Sequence, residues 1–150
     1  VILFVCTGNT CRSPMAAVLA AKMLRAAGID CAVQSAGVHA APECGASTHA
    51  ITVMQEEECD LLSHRAQRVS PELVQASQLI LAMTSAHSAA VLSLCPDARG
   101  KVFSLYEYAQ GGQDVSDPFG GDYAVYRACA TQIKDLLALC IPKIKNGMTQ

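Results

Sequence analysis

A cysteine and an arginine six positions apart, Cys6 and Arg12, lie in the stretch Cys6-Thr7-Gly8-Asn9-Thr10-Cys11-Arg12-Ser13. An apolar run, Val1–Val5, precedes them and a helix-like stretch, Pro14–Ala27, follows. On a loop between strand and helix, that spacing fits a cradle for a tetrahedral oxyanion. The sulfur can attack phosphorus while the guanidinium grips equatorial oxygens with a planar fork that lysine lacks. Backbone N–H groups from Thr7 to Arg12 can turn inward as an anion nest. The helix adds its positive end, with Ser13 expected as N-cap and Pro14 as first helical residue. Gly8 and Asn9 tolerate the positive φ that a tight concave loop demands. The same field favours the Cys6 thiolate. The chemistry expected is phosphoryl transfer through a phosphocysteine, with no metal and no cofactor required.

The leaving group needs a proton. Asp117, in the Gly- and Asp-rich loop Gly111–Gly121, precedes Pro118 and is therefore biased to an extended conformation. From such a loop its carboxyl can reach over the mouth, protonate the leaving group and later activate water. Asp114 lies three residues away and competes for that role. A turn-forming Asp before Pro is the plainer alternative.

Elements must place these groups. Val1–Val5, Cys31–Ala36, Gln78–Met83 and Lys101–Leu105 read as strands. Pro14–Ala27, ended by Gly28, reads as a helix, as do Ala46–Glu58, a short segment from Pro71 capped by Ser70, Ser85–Leu94 and Asp122–Ile141. Glu56, Glu57 and Glu58 read as a solvated helix end, and Pro142 as the end or kink of the last helix. Alternation of strands and helices implies an α/β fold: one domain over residues 1–150, with a parallel sheet buried on both faces. Ligands in such sheets bind beyond the strand carboxyl ends, which is where Cys6 falls.

Composition sets bounds. With 150 residues and a 51% hydrophobic fraction, one real core is possible. A net charge of -2 gives no reason to expect nucleic acid or a membrane as partner. No apolar run approaches the roughly 20 residues of a bilayer span. No secretory signal is visible, and the absence of an initial Met is compatible with a trimmed start. Eight cysteines are even in number, but a domain of this size needs no disulfide framework, and no zinc-ligand spacing occurs. Most read as small buried hydrophobes in a reducing, cytoplasmic setting. Tyr106, Tyr108, Tyr123 and Tyr126 read as packing or surface residues, and His39, His49 and His87 carry no assigned role.

Taken in order, Cys6-Thr7-Gly8-Asn9-Thr10-Cys11-Arg12-Ser13, Ser35-Ala36-Gly37 and Asp117-Pro118-Phe119-Gly120 resemble the low-molecular-weight protein tyrosine phosphatase family over nearly the whole chain. The resemblance implies a four-stranded parallel sheet flanked by helices. It implies Cys6 as nucleophile, Arg12 as phosphate ligand, Asp117 as acid, and phosphorylated proteins as substrates. It also implies His64 and Ser35 as supports of Asn9, and a reversible Cys6–Cys11 disulfide, although Cys11 can equally be a core thiol. Thr10 is smaller than the aliphatic residue common at that place. With Asp-Pro-Phe-Gly-Gly it resembles the bacterial protein arginine phosphatases. A compact hydroxyl leaves room for a planar guanidinium, an acidic rim of Asp114, Asp117 and Asp122 would attract it, and Phe119 can wall its face. Phosphoarginine is thus the expected substrate, with phosphotyrosine as the alternative and a monomer as the expected state. A thioredoxin-coupled arsenate reductase shares the loop but needs relay cysteines near the third strand, where Ala82, Met83 and Thr84 stand. A non-catalytic phosphoprotein-binding module would not need all three catalytic positions filled.

Overall fold

The strand Ile2–Cys6 (β1) is apolar at every position and buried at every position. Its side chains alternate between two cores. Ile2, Phe4 and Cys6 enter one, Leu3 and Val5 the other. Burying a large apolar side chain stabilises by about 1.5–3 kcal/mol, so this strand anchors both sides of the molecule. In the computed structural model, which describes residues 1–148, β1 is flanked by Val33–Gly37 (β2) and Leu79–Ala82 (β3), and Val102–Ser104 (β4) completes the sheet. The order is β2-β1-β3-β4 and all pairs are parallel. From β1 the chain first steps to one side and later to the other. That reversal opens a crevice at the carboxyl end of β1, and Cys6 is the last residue of that strand.

Helices cover both faces. Arg12–Ala26 (α1), Thr48–Glu56 (α2), Leu105–Ala109 (α5) and Tyr123–Met148 (α6) pack on the Phe4 side. Pro71–Ala76 (α3) and Ser85–Leu94 (α4) pack on the Val5 side. A 3₁₀ turn, Pro96–Ala98, leads into β4. Among the described residues, no helix is long and apolar enough to cross a membrane.

Several boundaries differ from the sequence reading for physical reasons. Helix α1 starts at Arg12, with Cys11 as an N-cap that makes no side-chain cap bond. Ser13 lies inside the helix and turns its hydroxyl to the Cys6 sulfur instead. The fourth strand stops at Ser104, because Ser104 and Glu107 form a capping box that starts α5. Helix α6 runs through Pro142. Pro142 and Ala138 are both exposed, so the carbonyl deprived of its donor faces water, while Cys140, Ile141 and Ile144 hold the helix to the core. Glu56 and Glu57 are not a free helix end. Tyr123 and Arg127 bond Glu56, and Arg127 and Lys134 bond Glu57. Lys134 foremost, then Arg127, holds the Glu57 carboxyl below its usual range. These contacts fasten the start of α6 to the end of α2.

Gly37, the last residue of β2, is required sterically. A Cβ there would lie 2.4 Å from the Thr7 carbonyl oxygen and 3.0 Å from the Asn9 nitrogen. Gly37→Ala should push the loop off the sheet and destabilise the protein by about 1–3 kcal/mol, read as a lower urea midpoint, with activity falling in parallel.

Candidate active site

The loop after β1 is closed from below by one side chain. Asn9 is 0% exposed and takes φ 57°, a left-handed conformation that Asn tolerates better than most residues. Its Nδ2 donates to Ser13 Oγ and Ser35 Oγ, both at 2.9 Å. Its Oδ1 accepts from Gln67 N at 3.0 Å. Its carbonyl oxygen meets His64 Nε2 at 2.7 Å. The carboxamide is therefore satisfied in a buried place, where an unmet polar atom costs about 1–3 kcal/mol. Gly8 does not share the positive φ expected of it. A Cβ at Gly8 would meet only Thr10 Oγ1, at 3.7 Å, so Gly8 keeps the bowl open rather than turning the chain.

Cys6 lies buried at the floor. Asn9 N donates to its Sγ at 3.3 Å, and Ser13 Oγ lies 2.9 Å from it. The sulfur thus has one backbone donor, Asn9 N–H, and a hydroxyl neighbour, Ser13 Oγ, that can donate or accept. Above it, a cavity of about 230 Å³ is lined by Cys6, Thr7, Gly8, Thr10, Cys11, Arg12, Asp117 and Phe119. Arg12 is buried and donates from Nη1 to the Val115 carbonyl at 3.1 Å. Its Nη2 lies 3.6 Å from Asp117 Oδ2. The Asp117 side chain is 56% exposed, and its other oxygen accepts from Phe119 N in a tight turn. Phe119 is 79% exposed at the mouth. The arrangement offers a nucleophile below, a guanidinium at the side and a carboxyl above.

Of the acidic rim expected, only Asp117 lines the cavity. Asp114 instead accepts from Ser85 N and Ser85 Oγ at the start of α4. Asp122 accepts from Val125 N at the start of α6. Both carboxylates serve helix ends, as their charge favours.

Three neighbours escaped the sequence reading. Cys11 Sγ lies 3.2 Å from Tyr126 Oη, and burial, then this contact, pushes the phenol up to about 12. Ser47 Oγ also accepts from Cys11. His87 is 6% exposed, with Nε2 2.7 Å from Thr7 Oγ1 and Nδ1 3.0 Å from Thr84 Oγ1. Helical spacing of Tyr126, Cys129 and Ile133 signals the first inward, and His87 follows shortly after a strand end that the sheet order aims at the site. All eight cysteines are free thiols in this structure. Burial raises Cys129 and Cys140 to about 12, which keeps them protonated.

A family model for low molecular weight phosphotyrosine protein phosphatases matches residues 1–148. The chain belongs to this family. It is 39% identical over 146 residues to the protein-arginine-phosphatase of Bacillus subtilis, covering 97% of each chain. It is 35% identical to a probable low molecular weight protein-tyrosine-phosphatase, EpsP, of Ralstonia solanacearum, covering 96% of this chain and 95% of that one. Among solved structures, it matches a cysteine-to-serine mutant of the YwlE arginine phosphatase with a phosphorylated active site serine. That match has a TM-score of 0.91 and 39% identity, covering 96% of this chain and 95% of that one.

Burial first, then the Arg12 charge, lowers His87 from 6.5 to about 4, against an opposing pull from Asp114 and Asp117. Between those values the unfolded chain binds a proton that the folded one does not, so His87 makes stability fall as pH drops from about 6.5 towards 4. NMR of the imidazole should find it neutral at pH 5.5, and His87→Asn should flatten that part of the stability profile.

Proposed function

We propose that this protein hydrolyses phosphorylated protein side chains through a phosphocysteine on Cys6, with phosphoarginine as substrate. The observation that carries the reading is a buried sulfur, bonded by Asn9 N–H and beside Ser13 Oγ, at the floor of a cavity walled by Arg12 and roofed by Asp117. The phosphoryl group enters with its oxygens towards the loop amides and Arg12. The Cys6 thiolate attacks phosphorus in line with the leaving nitrogen, forming the S–P bond as the P–N bond breaks. Asp117, protonated at the start, gives its proton to the departing guanidine nitrogen. The resulting carboxylate takes a proton from water, which attacks phosphorus from the vacated side. The S–P bond breaks, releasing phosphate and restoring the thiolate. No step calls on a cofactor or metal.

Three features support phosphoarginine. The Bacillus relative bears that activity in its name, Thr10 is compact, and Asp117 stands exposed where a guanidinium would lie. The phosphotyrosine alternative draws support from the Ralstonia relative and uses the same steps. In this reading the enzyme works in the cytoplasm as a monomer, where a reducing medium keeps Cys6 free.

Cys6→Ser should abolish turnover while phosphate still binds, read by calorimetry. Asp117→Asn should lower kcat by about 10²–10³-fold on substrates with poor leaving groups, and retention of full kcat would remove it as the acid. Matched peptides carrying phosphoarginine or phosphotyrosine decide the substrate. Wild type should favour phosphoarginine, and Thr10→Ile should shift the preference towards phosphotyrosine. A wild-type preference for phosphotyrosine, unmoved by Thr10→Ile, sinks the arginine reading.

A further inference from the structure

Thr7 follows the nucleophile directly and lines the cavity, yet its hydroxyl is tied to a buried imidazole from the far side of the sheet. His87 belongs to the first turn of α4, and its ring is fixed at both nitrogens. Nδ1 meets Thr84 Oγ1, and that same oxygen caps α4 by accepting from His87 N at 3.2 Å. Thr84 follows β3 closely, and Asp114 holds the next residue, Ser85, by two bonds. The residue after Asp114 is Val115, whose carbonyl takes the Arg12 guanidinium and whose N–H donates to Met83 O at 2.9 Å. Met83 N in turn donates to Val5 O at 2.8 Å. The helix end that carries His87 is thus built into the same framework as the phosphate-gripping arginine. Thr7 is itself immobilised, because its carbonyl accepts from His39 N at 2.9 Å.

A neutral imidazole has one donor and one acceptor nitrogen. Both contacts are compatible with either tautomer, and the one proposed has Nδ1–H donating to Thr84 Oγ1 and Nε2 accepting the Thr7 hydroxyl proton. Both lone pairs of Thr7 Oγ1 are then left to accept. Neutrality matters, since an imidazolium would reverse that bond and put a second cation beside Arg12. Phosphoarginine brings N–H donors right beside phosphorus. The bridging oxygen and ring of phosphotyrosine bring none. An acceptor at the wall next to the nucleophile therefore distinguishes the two in a way that charge on the phosphoryl group cannot.

We propose that His87 is a positioning residue that orients the Thr7 hydroxyl, and that Thr7 Oγ1 so oriented is a specificity-determining acceptor for the N–H groups of the phosphoarginine guanidinium. This rests on the phosphoarginine reading above. It adds to Thr10 a second selectivity contact at the opposite end of the loop, and it gives a role to a histidine outside the bowl.

The test compares kcat/KM on matched phosphoarginine and phosphotyrosine peptides for wild type, Thr7→Val, Thr7→Ser, His87→Ala and the Thr7→Val/His87→Ala pair. Thr7→Val preserves shape and removes the acceptor, so the ratio of phosphoarginine to phosphotyrosine kcat/KM should fall about tenfold, as expected for a lost bond to a charged donor. His87→Ala should lower the same ratio, and the pair should fall no further than Thr7→Val alone, because His87 acts through Thr7. Thr7→Ser should restore most of the ratio. Equal losses on both peptides in Thr7→Val overturn the proposal, since they mark a general effect on the loop. Multiplying losses in the pair overturn the part assigned to His87. Thr7→Val bears on the proposal even where His87→Ala fails to fold. A wild-type enzyme inactive on phosphoarginine overturns the substrate reading itself and is seen before any variant is measured.

Discussion

Everything at this site depends on the buried carboxamide of Asn9. A loop that must aim its amides at an anion cannot satisfy them in a sheet or helix, so something else must hold it bent. Asn9 does this with every side-chain hydrogen-bonding group in use, joining the loop to α1 through Ser13, to β2 through Ser35 and to the segment before α3 through Gln67. A left-handed backbone at that residue supplies the curvature. Remove this fastening and the donors around Cys6 lose their common focus. Gly37 serves the same end passively by leaving the loop room to lie against β2.

The balance of charge within the bowl is local. Arg12 is buried with one nitrogen on a carbonyl and another near Asp117. The first bond fixes its direction, while the second is a wide 3.6 Å contact to an exposed carboxylate and holds little energy. Asp117 can therefore exchange the arginine for a substrate at small cost. His87, its protonation depressed by burial first and by the Arg12 charge second, stays neutral near pH 7 and does not compete for the anion.

Much of this was legible in the sequence. The all-apolar strands announced a sheet buried on both faces, and the helix Ser85–Leu94 and the cap at Ser70 emerge where punctuation residues put them. The loop and its arginine were readable because their spacing is local, and Asp117 because Pro118 follows it in a loop rich in Gly and Asp. What escaped depends on which contacts a residue makes in the folded chain. Ser13 resembles a cap until the sulfur seven residues earlier claims its hydroxyl. The short α5 was foreshadowed by Ser104 and Glu107 but was masked by the apolar residues that continue from β4. Pro142 breaks a helix in isolation, but packing of its neighbours overrides it. The glutamates at the end of α2 reveal their partners only when α6 is laid against α2, and Tyr126 and His87 only when α6 and α4 are laid against the loop.

The sulfur is the final residue of a strand that is paired on both edges and plugged into two cores. The carboxyl and the exposed phenyl ring belong to a separate surface segment outside the sheet. The floor of the cavity and its mouth are therefore held by different parts of the chain. Mutational drift or laboratory grafting can rewrite the residues around Asp117, with Asp117 itself kept, to admit different side chains while the strand holds the sulfur in place, which would let one rigid chassis diversify across substrates.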